Sequence, residues 1–455
     1  MPNFKDARTF FVATLGCKIN QYESEALIEA WRATGLEECD RAADADLVLV
    51  NSCAVTARAV SDLRAAVRRL RQQSPAARIV VTGCAAQVLA QELAAMDEVD
   101  AVVPQSRKGE LLAGPGAISQ ESALQGHGPQ EPASPQPGRA FPPFSIAAFR
   151  RARAVVKVQD GCSHGCTYCI VPLTRGPSVS RQPGQAIDEM RRLLEAGYRE
   201  LVVSGVNLRQ YGRDLAEPLD FWELLRRMEA ELAPQWAGRA RLRLSSLEPG
   251  QLCSKALEVL GGSRLVAPHL HLSLQSGDAG VLKRMGRGHY RPEQVLDFLR
   301  QLKGFWPRLG LGADLLTGFP GESAEQFAAT YAFCRELPLT YAHVFPFSPR
   351  PGTAAAKLAD PLPKAERTAR AAQLRALAEE KKSAFLQELA ALPRLTVLVE
   401  RSGAGHGVCE YYGPCQVRGK LAARPGSLVA LRPEGVAEGR VCGVVMDASN
   451  AGSKA

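Results

Sequence analysis

Short apolar runs alternate with amphipathic stretches over residues 9–100. The runs are short enough for strands, whereas the stretches between them repeat apolar residues at helical spacing. The predicted strands are 9–15, 47–51 and 78–83, and the predicted helices are 21–34 and 56–73. Consecutive strand–helix–strand units form a parallel sheet. The pattern therefore predicts an N-terminal parallel α/β domain, which we place at residues 8–112.

Residues 113–147 have a different composition, dominated by Gly, Pro, Ser and Gln. Such a composition is typical of linkers, because it offers few side chains for a packed core. We therefore predict a linker at 113–147 that is disordered.

From residue 154 the alternation of strands and helices resumes. Six strands are predicted, at 154–159, 200–204, 241–245, 269–274, 311–317 and 341–347. A helical pattern follows each of the first five, for example at 183–196 and 322–334. Six strand–helix units are too few for the closed barrel of eight. We predict a partial (βα)6 barrel, with residues 148–385 as its domain.

The C-terminal part of the chain changes pattern once more. Residues 364–392 are rich in Ala, Leu, Glu, Arg and Lys and form a helix by propensity. Short β-like runs follow at 395–400, 427–431 and 440–446, separated by glycines. These runs predict a small β barrel or sandwich at residues 386–455.

Composition and charge narrow the class of protein. In 455 residues with 46% hydrophobic content, no apolar stretch approaches the roughly 20 residues of a membrane span. The first residues also lack the apolar core of a signal peptide, so a cytoplasmic protein without a membrane partner is expected. The formal net charge of +9 suits a polyanionic partner, and the 12 cysteines suit metal binding more than a disulfide scaffold.

Three cysteines lie close together in a C-x3-C-x2-C run directly after the first barrel strand. Cys162, Cys166 and Cys169 can bind three irons of a 4Fe-4S cube, which leaves the fourth iron open to a small molecule. A zinc site with His164 as fourth ligand is the alternative, although structural zinc usually draws its ligands as two pairs.

A second group of three cysteines is spread along the N-terminal domain. Cys17, Cys53 and Cys84 each follow a predicted strand. Because the carboxyl ends of parallel strands meet at one edge of the sheet, these thiols can converge on one site. We interpret the remaining cysteines as structural or leave them unassigned: Cys39, Cys253, Cys334, Cys409, Cys415 and Cys442.

Residues at the ends of the barrel strands are candidates to bind the small molecule at the open iron. Gly205 and Gly318 allow a close backbone approach, and Glu248 and Gln275 can hydrogen-bond a ribose or an amino group. Asn207 lies in the same kind of segment. Each of these residues could instead cap a helix or form a turn, but their position at successive strand ends favours binding.

Several motifs resemble those of the methylthiotransferase branch of the radical S-adenosylmethionine (SAM) superfamily, over nearly the whole chain. They are TLGCKINQYES at 14–24, NSC at 51–53, TGC at 82–84, QDGC at 159–162 and LSLQSG at 272–277. The first motif and HVFPFS at 343–348 are most similar to enzymes that modify N6-threonylcarbamoyladenosine at tRNA position 37. The end of the chain resembles a TRAM domain, a small RNA-binding β barrel.

The resemblance implies two 4Fe-4S clusters and SAM as cofactors. Cys162, Cys166 and Cys169 would hold the cluster that binds and cleaves SAM, with Tyr168 beside the adenine. The cysteines of the second group would hold an auxiliary cluster that presents the sulfur for transfer to C2 of the base. No side chain is expected to act as acid or base, because the cofactors carry the chemistry. The implied partners are the tRNA anticodon stem-loop and an electron donor protein.

Other functions fit parts of the same pattern. Sister enzymes with the same fold and clusters act on isopentenyladenosine in tRNA or on an aspartate of a ribosomal protein. A non-catalytic RNA-binding protein with structural zinc is the alternative from another class.

Overall fold

A computed structural model of the chain describes residues 4–118, 140–359, 362–401, 405–419 and 424–446. The N-terminal domain is built on a parallel five-stranded sheet in the order β2-β1-β3-β4-β5. Its strands are β1 (Thr9–Thr14), β2 (Glu37–Glu38), β3 (Leu47–Ser52), β4 (Arg78–Gly83) and β5 (Ala101–Pro104). Its α-helices are α1 (Lys18–Ala33), α2 (Ala57–Gln73), α3 (Cys84–Val88) and α4 (Ala90–Ala94).

The predicted strands and helices of this domain are confirmed. The central strand β3 is buried along its whole length, as a continuous apolar run covered on both faces should be. Helix α2 begins where the Thr56 hydroxyl accepts a hydrogen bond from the Ala59 amide. The two edge strands β2 and β5 were not predicted, since they contain only two and four residues.

Most of the predicted linker, residues 119–139, lies outside the described residues. The described ends of the segment are packed, which differs from the expected disorder. A 3-10 helix covers Pro115–Ala117. Phe144 and Ile146 are buried in the core, where the Tyr22 hydroxyl donates to the Phe144 carbonyl oxygen at 2.8 Å. An apolar side chain in a Pro-rich segment can therefore anchor the chain between two domains.

All six predicted barrel strands are present, and each pairs with at least one parallel neighbour in its sheet. They are β6 (Ala154–Lys157), β9 (Glu200–Ser204), β10 (Arg241–Leu244), β11 (His269–Gln275), β12 (Gly310–Thr317) and β13 (Tyr341–Pro346). They form two three-stranded parallel sheets, ordered β10-β9-β6 and β11-β12-β13. The isolated bridges Leu242↔Val266 and Leu247↔Leu272 join the two sheets. The barrel is thus partial and made of two halves.

Helices cover the outside of the partial barrel, and a short hairpin precedes the first crossover. The hairpin pairs β7 (Gln159–Asp160) with β8 (Val179–Ser180). The helices are α5 (Val171–Arg175), α6 (Pro183–Glu195), α7 (Phe221–Trp236), α8 (Ser254–Gly262), α9 (Ala279–Arg284), α10 (Pro292–Leu302) and α11 (Ala324–Glu336). One hydrophobic core runs from Phe10 and Trp31 of the N-terminal domain to Leu311 and Leu374, so the two units pack as one body.

A long helix leads to a closed five-stranded barrel at the C-terminus. The helix is α12 (Lys364–Ala390). The strands are β14 (Leu395–Arg401), β15 (His406–Cys409), β16 (Pro414–Arg418), β17 (Leu428–Ala437) and β18 (Arg440–Val445). They close in the order β14-β15-β16-β18-β17, which decides between the barrel and the sandwich left open by the sequence. None of the helices described is both long and apolar enough to cross a bilayer.

Candidate functional site

The first cysteine group lies on the loop between β7 and α5, at the carboxyl end of the first barrel strand. Gly161 begins this loop with a φ of 66°, a conformation that favours glycine. A Cβ atom there would lie 2.0 Å from the Pro177 carbonyl oxygen. The Cys162 amide donates to the Gly176 carbonyl oxygen at 3.0 Å, which ties the loop to the residues after α5. Only glycine therefore allows this tight loop.

Hydrogen-bond donors surround the thiols of this group. The His164 amide and the Asn207 side-chain amide approach Cys162 Sγ at 3.4 and 3.5 Å. The Arg287 guanidinium donates to Cys166 Sγ at 3.7 Å. Burial raises the pKa of the Cys169 thiol to about 12, so the free site is protonated there. Deprotonation by a bound metal would leave thiolates that these donors stabilise.

The second cysteine group lies at the carboxyl ends of β1, β3 and β4, as the parallel sheet predicted. Gly16 has a φ of 109°, and a Cβ atom on it would lie 2.6 Å from Cys53 Cβ. Burial raises the pKa of the Cys53 thiol to about 11, and the nearby Cys84 and Cys17 thiols act in the same direction. Three cysteines from three strand ends therefore converge on one place.

Neither group has the dimensions of a single zinc site. With Zn–S bonds of about 2.3 Å, the sulfurs of a tetrahedral site lie roughly 4 Å apart. Among the described residues, the only three potential ligands whose atoms all lie within 4.8 Å of one another are His271, Asp314 and His343. Each cysteine group therefore contains at least one pair of sulfurs more than 4.8 Å apart, a spacing that a multi-iron cluster accommodates.

A buried ionic network joins the two cysteine groups. The Glu23 carboxylate of α1 accepts from Lys108 at 2.6 Å, from Lys157 at 2.7 Å and from Arg175 at 2.8 Å. Lys157 and Arg175 also bind Asp160, at 2.7 and 2.8 Å, two residues before Cys162. Burial alone would raise the pKa of Glu23, but the three cations hold it well below its usual range. The network fixes the N-terminal domain against the barrel.

Amide side chains extend this network to the second cysteine group. Asn20 accepts from Arg175 at 2.8 Å and donates to the carbonyl oxygens of Leu15 and Ser52, both at 2.9 Å. Because Ser52 directly precedes Cys53, Asn20 holds the ends of two strands at once. The short helices α3 and α5, which begin and end beside the two groups, pack against each other.

Positive charge and unpaired donors lie beside both groups. The network contains three cations and two carboxylates, and its Arg175 and Lys108 act electrostatically on Cys84. Arg287 lies beside Cys166 and Arg350 beside Cys53, and the Nε of each is buried without a partner in the described chain. Unpaired buried donors are costly unless an acceptor is bound. The donor set therefore fits an anionic thiolate-bound cluster in each group.

The structure places three of the six predicted cofactor contacts, Tyr168, Asn207 and Glu248, around the first cysteine group. Tyr168 packs with Phe319 and Met285 beside the cysteine loop. Glu248 accepts from Arg287 and His289, both at 2.6 Å, and Arg287 in turn reaches Cys166. A carboxylate held in this way has a fixed orientation and keeps free lone pairs.

The other three predicted cofactor contacts, Gln275, Gly205 and Gly318, are distinguished by their backbone conformation or their close packing. Gln275 ends β11 with a φ of 66°, a strained conformation for a non-glycine residue that is common at functional sites. Gly205 and Gly318 have packing reasons of their own. A Cβ atom would lie 2.9 Å from Gln159 Cβ at Gly205 and 2.2 Å from Arg367 Cγ at Gly318. Close packing therefore explains why glycine occurs at these two positions, without a bound cofactor.

The residues of the buried network were not predicted, because single charged residues in a sequence resemble solvated ones. Their positions carried a signal in three cases. Asp160 directly precedes Gly161 and Cys162, and Asn20 and Glu23 lie within the first cysteine motif. Lys108 and Arg175 carry no local signal, since their partners lie 85 and 152 residues away in sequence.

Comparison with known proteins matches two parts of the chain to known families. Residues 9–104 match the model described as "Uncharacterized protein family UPF0004", and residues 156–334 match that of the radical SAM superfamily. The chain is 37% identical over 375 residues to the threonylcarbamoyladenosine tRNA methylthiotransferase MtaB of Bacillus subtilis, which covers 81% of this chain and 79% of that protein.

Two further curated relatives cover similar lengths. The protein of the same name from Thermotoga maritima is 32% identical over 413 residues, which is 89% of this chain and 90% of that protein. A tRNA-2-methylthio-N(6)-dimethylallyladenosine synthase of Syntrophobacter fumaroxidans is 32% identical over 374 residues, 81% of this chain and 80% of that protein.

Among solved structures, the chain is similar to the radical SAM methyltransferase TsrM from Kitasatospora setae. The TM-score is 0.55 at 15% identity, with 77% of each chain covered, so this likeness concerns the fold alone. The sequence relatives go further, because they match across both domains that carry cysteine groups. The chain is a radical SAM enzyme with a 4Fe-4S cluster, and it belongs to the radical SAM methylthiotransferase family.

Proposed function

We propose that this enzyme transfers a methylthio group to C2 of N6-threonylcarbamoyladenosine at position 37 of tRNA. The observation that carries the reaction type is the convergence of two cysteine groups on either side of one buried ionic network. The substrate is supported by the names of relatives that match most of the chain. The motifs at 14–24 and 343–348 support the same substrate.

The two cysteine groups have different roles in this proposal. Cys162, Cys166 and Cys169 hold the cluster that binds SAM, and Cys17, Cys53 and Cys84 hold a second 4Fe-4S cluster. The bound cofactors supply the electron, the radical chemistry and the sulfur and methyl groups. The chain itself supplies placement, since α3 and α5 pack together and bring the two groups side by side.

Side chains around the first group position SAM. Tyr168 offers a ring beside the cysteine loop, and Glu248 is oriented by Arg287 and His289 to accept hydrogen bonds from the ligand. Asn207 stabilises the Cys162 thiolate, while Gln275, Gly205 and Gly318 line the strand ends around the ligand. None of these side chains is assigned a proton transfer.

Binding of the tRNA is assigned to the C-terminal domain. The C-terminal five-stranded barrel is the proposed binding site for the anticodon stem-loop, and the net charge of +9 favours a polyanion. An electron donor protein is a further proposed partner. Because the substrate is a tRNA, we place the reaction in the cytoplasm.

A second substrate has support from one observation. The relative from Syntrophobacter fumaroxidans bears the name of an enzyme for dimethylallyladenosine in tRNA and is 32% identical to this chain. The two substrates differ chemically at N6 of the adenine, where one carries a carboxylate and the other an apolar group.

The experiment compares these substrates directly. Anaerobically reconstituted enzyme is incubated with SAM, a reductant and either of two tRNAs, one with threonylcarbamoyladenosine and one with dimethylallyladenosine at position 37. Mass spectrometry of the digested nucleosides should detect a methylthio product from the first tRNA. Product from the second tRNA alone would replace the proposed substrate by the alternative.

A further inference from the structure

The second half of the partial barrel has a polar inner face. Along β11, β12 and β13 the residues alternate, so that apolar side chains point to the helices and polar ones to the inside. The buried outward residues include Leu270, Leu272, Ala313, Leu315 and Val344. The inward ones are His269, His271, Asp314, Tyr341 and His343. Five hydrogen-bonding side chains therefore share one surface within the barrel.

These side chains form one chain of hydrogen bonds. The Tyr341 hydroxyl lies 2.9 Å from both His269 Nε2 and His271 Nδ1. Asp314 Oδ1 lies 3.0 Å from His271 Nε2 and 3.2 Å from His343 Nδ1. The chain ends at His343 Nε2, for which the described residues offer no partner, on a side chain that is 57% exposed. Asp314 thus orients an imidazole whose outer nitrogen is free to bind a ligand.

An aromatic side chain and two cations from other parts of the chain lie beside this surface. Tyr412, from the turn after β15, has its ring 5.3 Å from that of Tyr341 and 4.5 Å from that of His269. The guanidinium carbons of Arg153 and Arg243 lie 5.3 and 5.0 Å from the centre of the Tyr412 ring. The C-terminal barrel therefore contributes an aromatic side chain to the inside of the central barrel, with positive charge around it.

Lys18, the first residue of α1, adds a cation near Tyr412 and His269. Burial lowers the pKa of Lys18, and the nearby Tyr412 hydroxyl acts in the opposite direction. In the described chain no carboxylate lies within ion-pairing distance of it, whereas Arg153 pairs with Glu400 and Arg243 with Glu200. Burial alone would raise the pKa of Tyr412, but Arg153, Lys18 and Arg243 lower it below its usual value. The local potential is therefore positive and favours an anion.

The position of this pocket, formed by Lys18, Tyr341, His343 and Tyr412, relates it to the proposed reaction. Lys18 directly follows Cys17, a proposed ligand of the second cluster. Asp314 is in register with His343, and the next residue, Leu315, is in register with Gln275 at the end of β11. A group bound to His343 would therefore lie toward the carboxyl end of the barrel strands, where the first cysteine group also lies.

We propose that this pocket binds a carboxylate carried by the N6 substituent of the target adenine, and so selects an acidic substituent over an apolar one. The inference rests on the proposed function, because a threonylcarbamoyl group carries such a carboxylate. Lys18 provides the charge, and His343 provides an oriented hydrogen bond. An apolar substituent in the same pocket would remove water from these polar groups without replacing their hydrogen bonds, which is unfavourable.

The test compares binding of three anticodon stem-loops by reconstituted enzyme, with adenosine, threonylcarbamoyladenosine or dimethylallyladenosine at position 37. The wild-type protein should bind the threonylcarbamoyl form most tightly. In Lys18→Met and His343→Leu, this preference over plain adenosine should fall by roughly 10- to 100-fold, as for a lost charge-assisted hydrogen bond. Lys303→Met is the matched control, because it removes one exposed positive charge at the end of α10. Its preference should equal that of the wild type.

Each other outcome overturns the inference in a recognisable way. An equal loss of affinity for all three stem-loops in both variants would mean that the pocket binds a phosphate of the RNA backbone. An unchanged preference in both variants would show that the substituent binds elsewhere. Residue 343 is far in sequence from every proposed cluster ligand. His343→Leu therefore tests the pocket even if Lys18→Met disturbs Cys17. Methylthiolation of threonylcarbamoyladenosine by the wild type is scored separately, so the proposed function can stand when the pocket fails.

Discussion

Individual residues at the first cysteine loop have different structural roles. Gly161 allows the turn, Asn207 and Arg287 donate to sulfur, and the three thiols are the proposed iron ligands. Conversely, the glycines at 205 and 318 are explained by close packing against Gln159 and Arg367. Glycine is thus required at Gly161 for its backbone conformation, and at Gly205 and Gly318 because a neighbouring side chain packs too closely for a Cβ atom.

Replacement of Cys162, Cys166 and Cys169 by Ala should abolish cleavage of SAM, because no open iron is left to bind it. Chromatographic detection of 5'-deoxyadenosine in the presence of a strong reductant measures this. Cys253→Ala is the control, since Cys253 is exposed and lies at the start of α8. Continued formation of 5'-deoxyadenosine by the triple variant would refute the ligand assignment.

At the scale of elements, charged side chains join units that the chain order separates. Glu23 on α1 meets Lys157 of β6 and Arg175 of α5. Glu200 on β9 binds Arg241 and Arg243 of β10, which also donate to carbonyl oxygens of Thr396, Val408 and Cys409 in the C-terminal barrel. Each domain contact in this protein therefore contains a buried carboxylate between cations.

Glu23→Gln should destabilise the protein by about 3–5 kcal/mol, because Lys157 and Arg175 would share the carboxylate of Asp160 and Lys108 would lose its carboxylate partner. Denaturant unfolding at neutral pH measures the loss. Glu110→Gln removes a carboxylate from an exposed pair with Arg107 and should cost less than about 1 kcal/mol. Equal effects of the two changes would mean that the network contributes no more than a surface pair.

Glu200 should make stability depend on pH in the acid range. Burial alone would raise its pKa, but Arg243 and Arg241 hold it well below its usual value. A carboxyl group whose pKa is lower in the folded state stabilises above the unfolded value of about 4.3, and this stabilisation is lost as the pH falls. Glu200→Gln should therefore lower the Tm at pH 7, and its difference from the wild type should narrow below about pH 4.

The control for this pH effect is Glu258→Gln, at a side chain that is 74% exposed. Its Tm should follow that of the wild type across the same range, since an exposed carboxylate contributes little. A constant difference between Glu200→Gln and the wild type from pH 7 to pH 3 would contradict the assigned pKa direction.

At the scale of the whole molecule, two cysteine groups from different domains lie on one body. The N-terminal sheet and the partial barrel share a hydrophobic core, and the buried network spans their contact. The C-terminal barrel packs against the central barrel, where its Tyr412 lies beside Tyr341. All three units thus contribute residues to one continuous body.

Replacement of Cys17, Cys53 and Cys84 by Ala should separate the two functions. The variant should still cleave SAM, because the first group is intact, but form no methylthiolated tRNA. Its iron content after reconstitution should fall from about eight to about four per chain, on the arithmetic of two cubes. Paired assays of 5'-deoxyadenosine and modified nucleoside on one preparation measure this. Methylthiolation by the triple variant would refute the second cluster.

A purely structural role for these three cysteines makes a different prediction. Loss of buried thiols would cost stability, at roughly 1 kcal/mol or more each, and would lower both activities together. The same two assays therefore decide between a ligand role and a packing role.

The sequence alone determined what depends on local periodicity and spacing. The six barrel strands, the long helix before the C-terminal barrel and both cysteine groups follow from apolar runs and from thiols directly after strands. Cys17, Cys53 and Cys84 could be grouped because parallel strands place their carboxyl ends at one edge, whatever lies between them. The closure of the C-terminal barrel was not determined, because the short strands β15 and β16 have too few residues for a clear pattern.

Only the tertiary structure decided which polar residues meet. Lys108 finds Glu23 across 85 residues, and Lys18, Tyr412 and His343 come from three separate units. A charged or aromatic residue in a sequence has the same local pattern whether water or a buried partner surrounds it. The buried ionic network and the proposed carboxylate pocket therefore could not be predicted from the sequence, because long-range packing decides which polar groups lose their water.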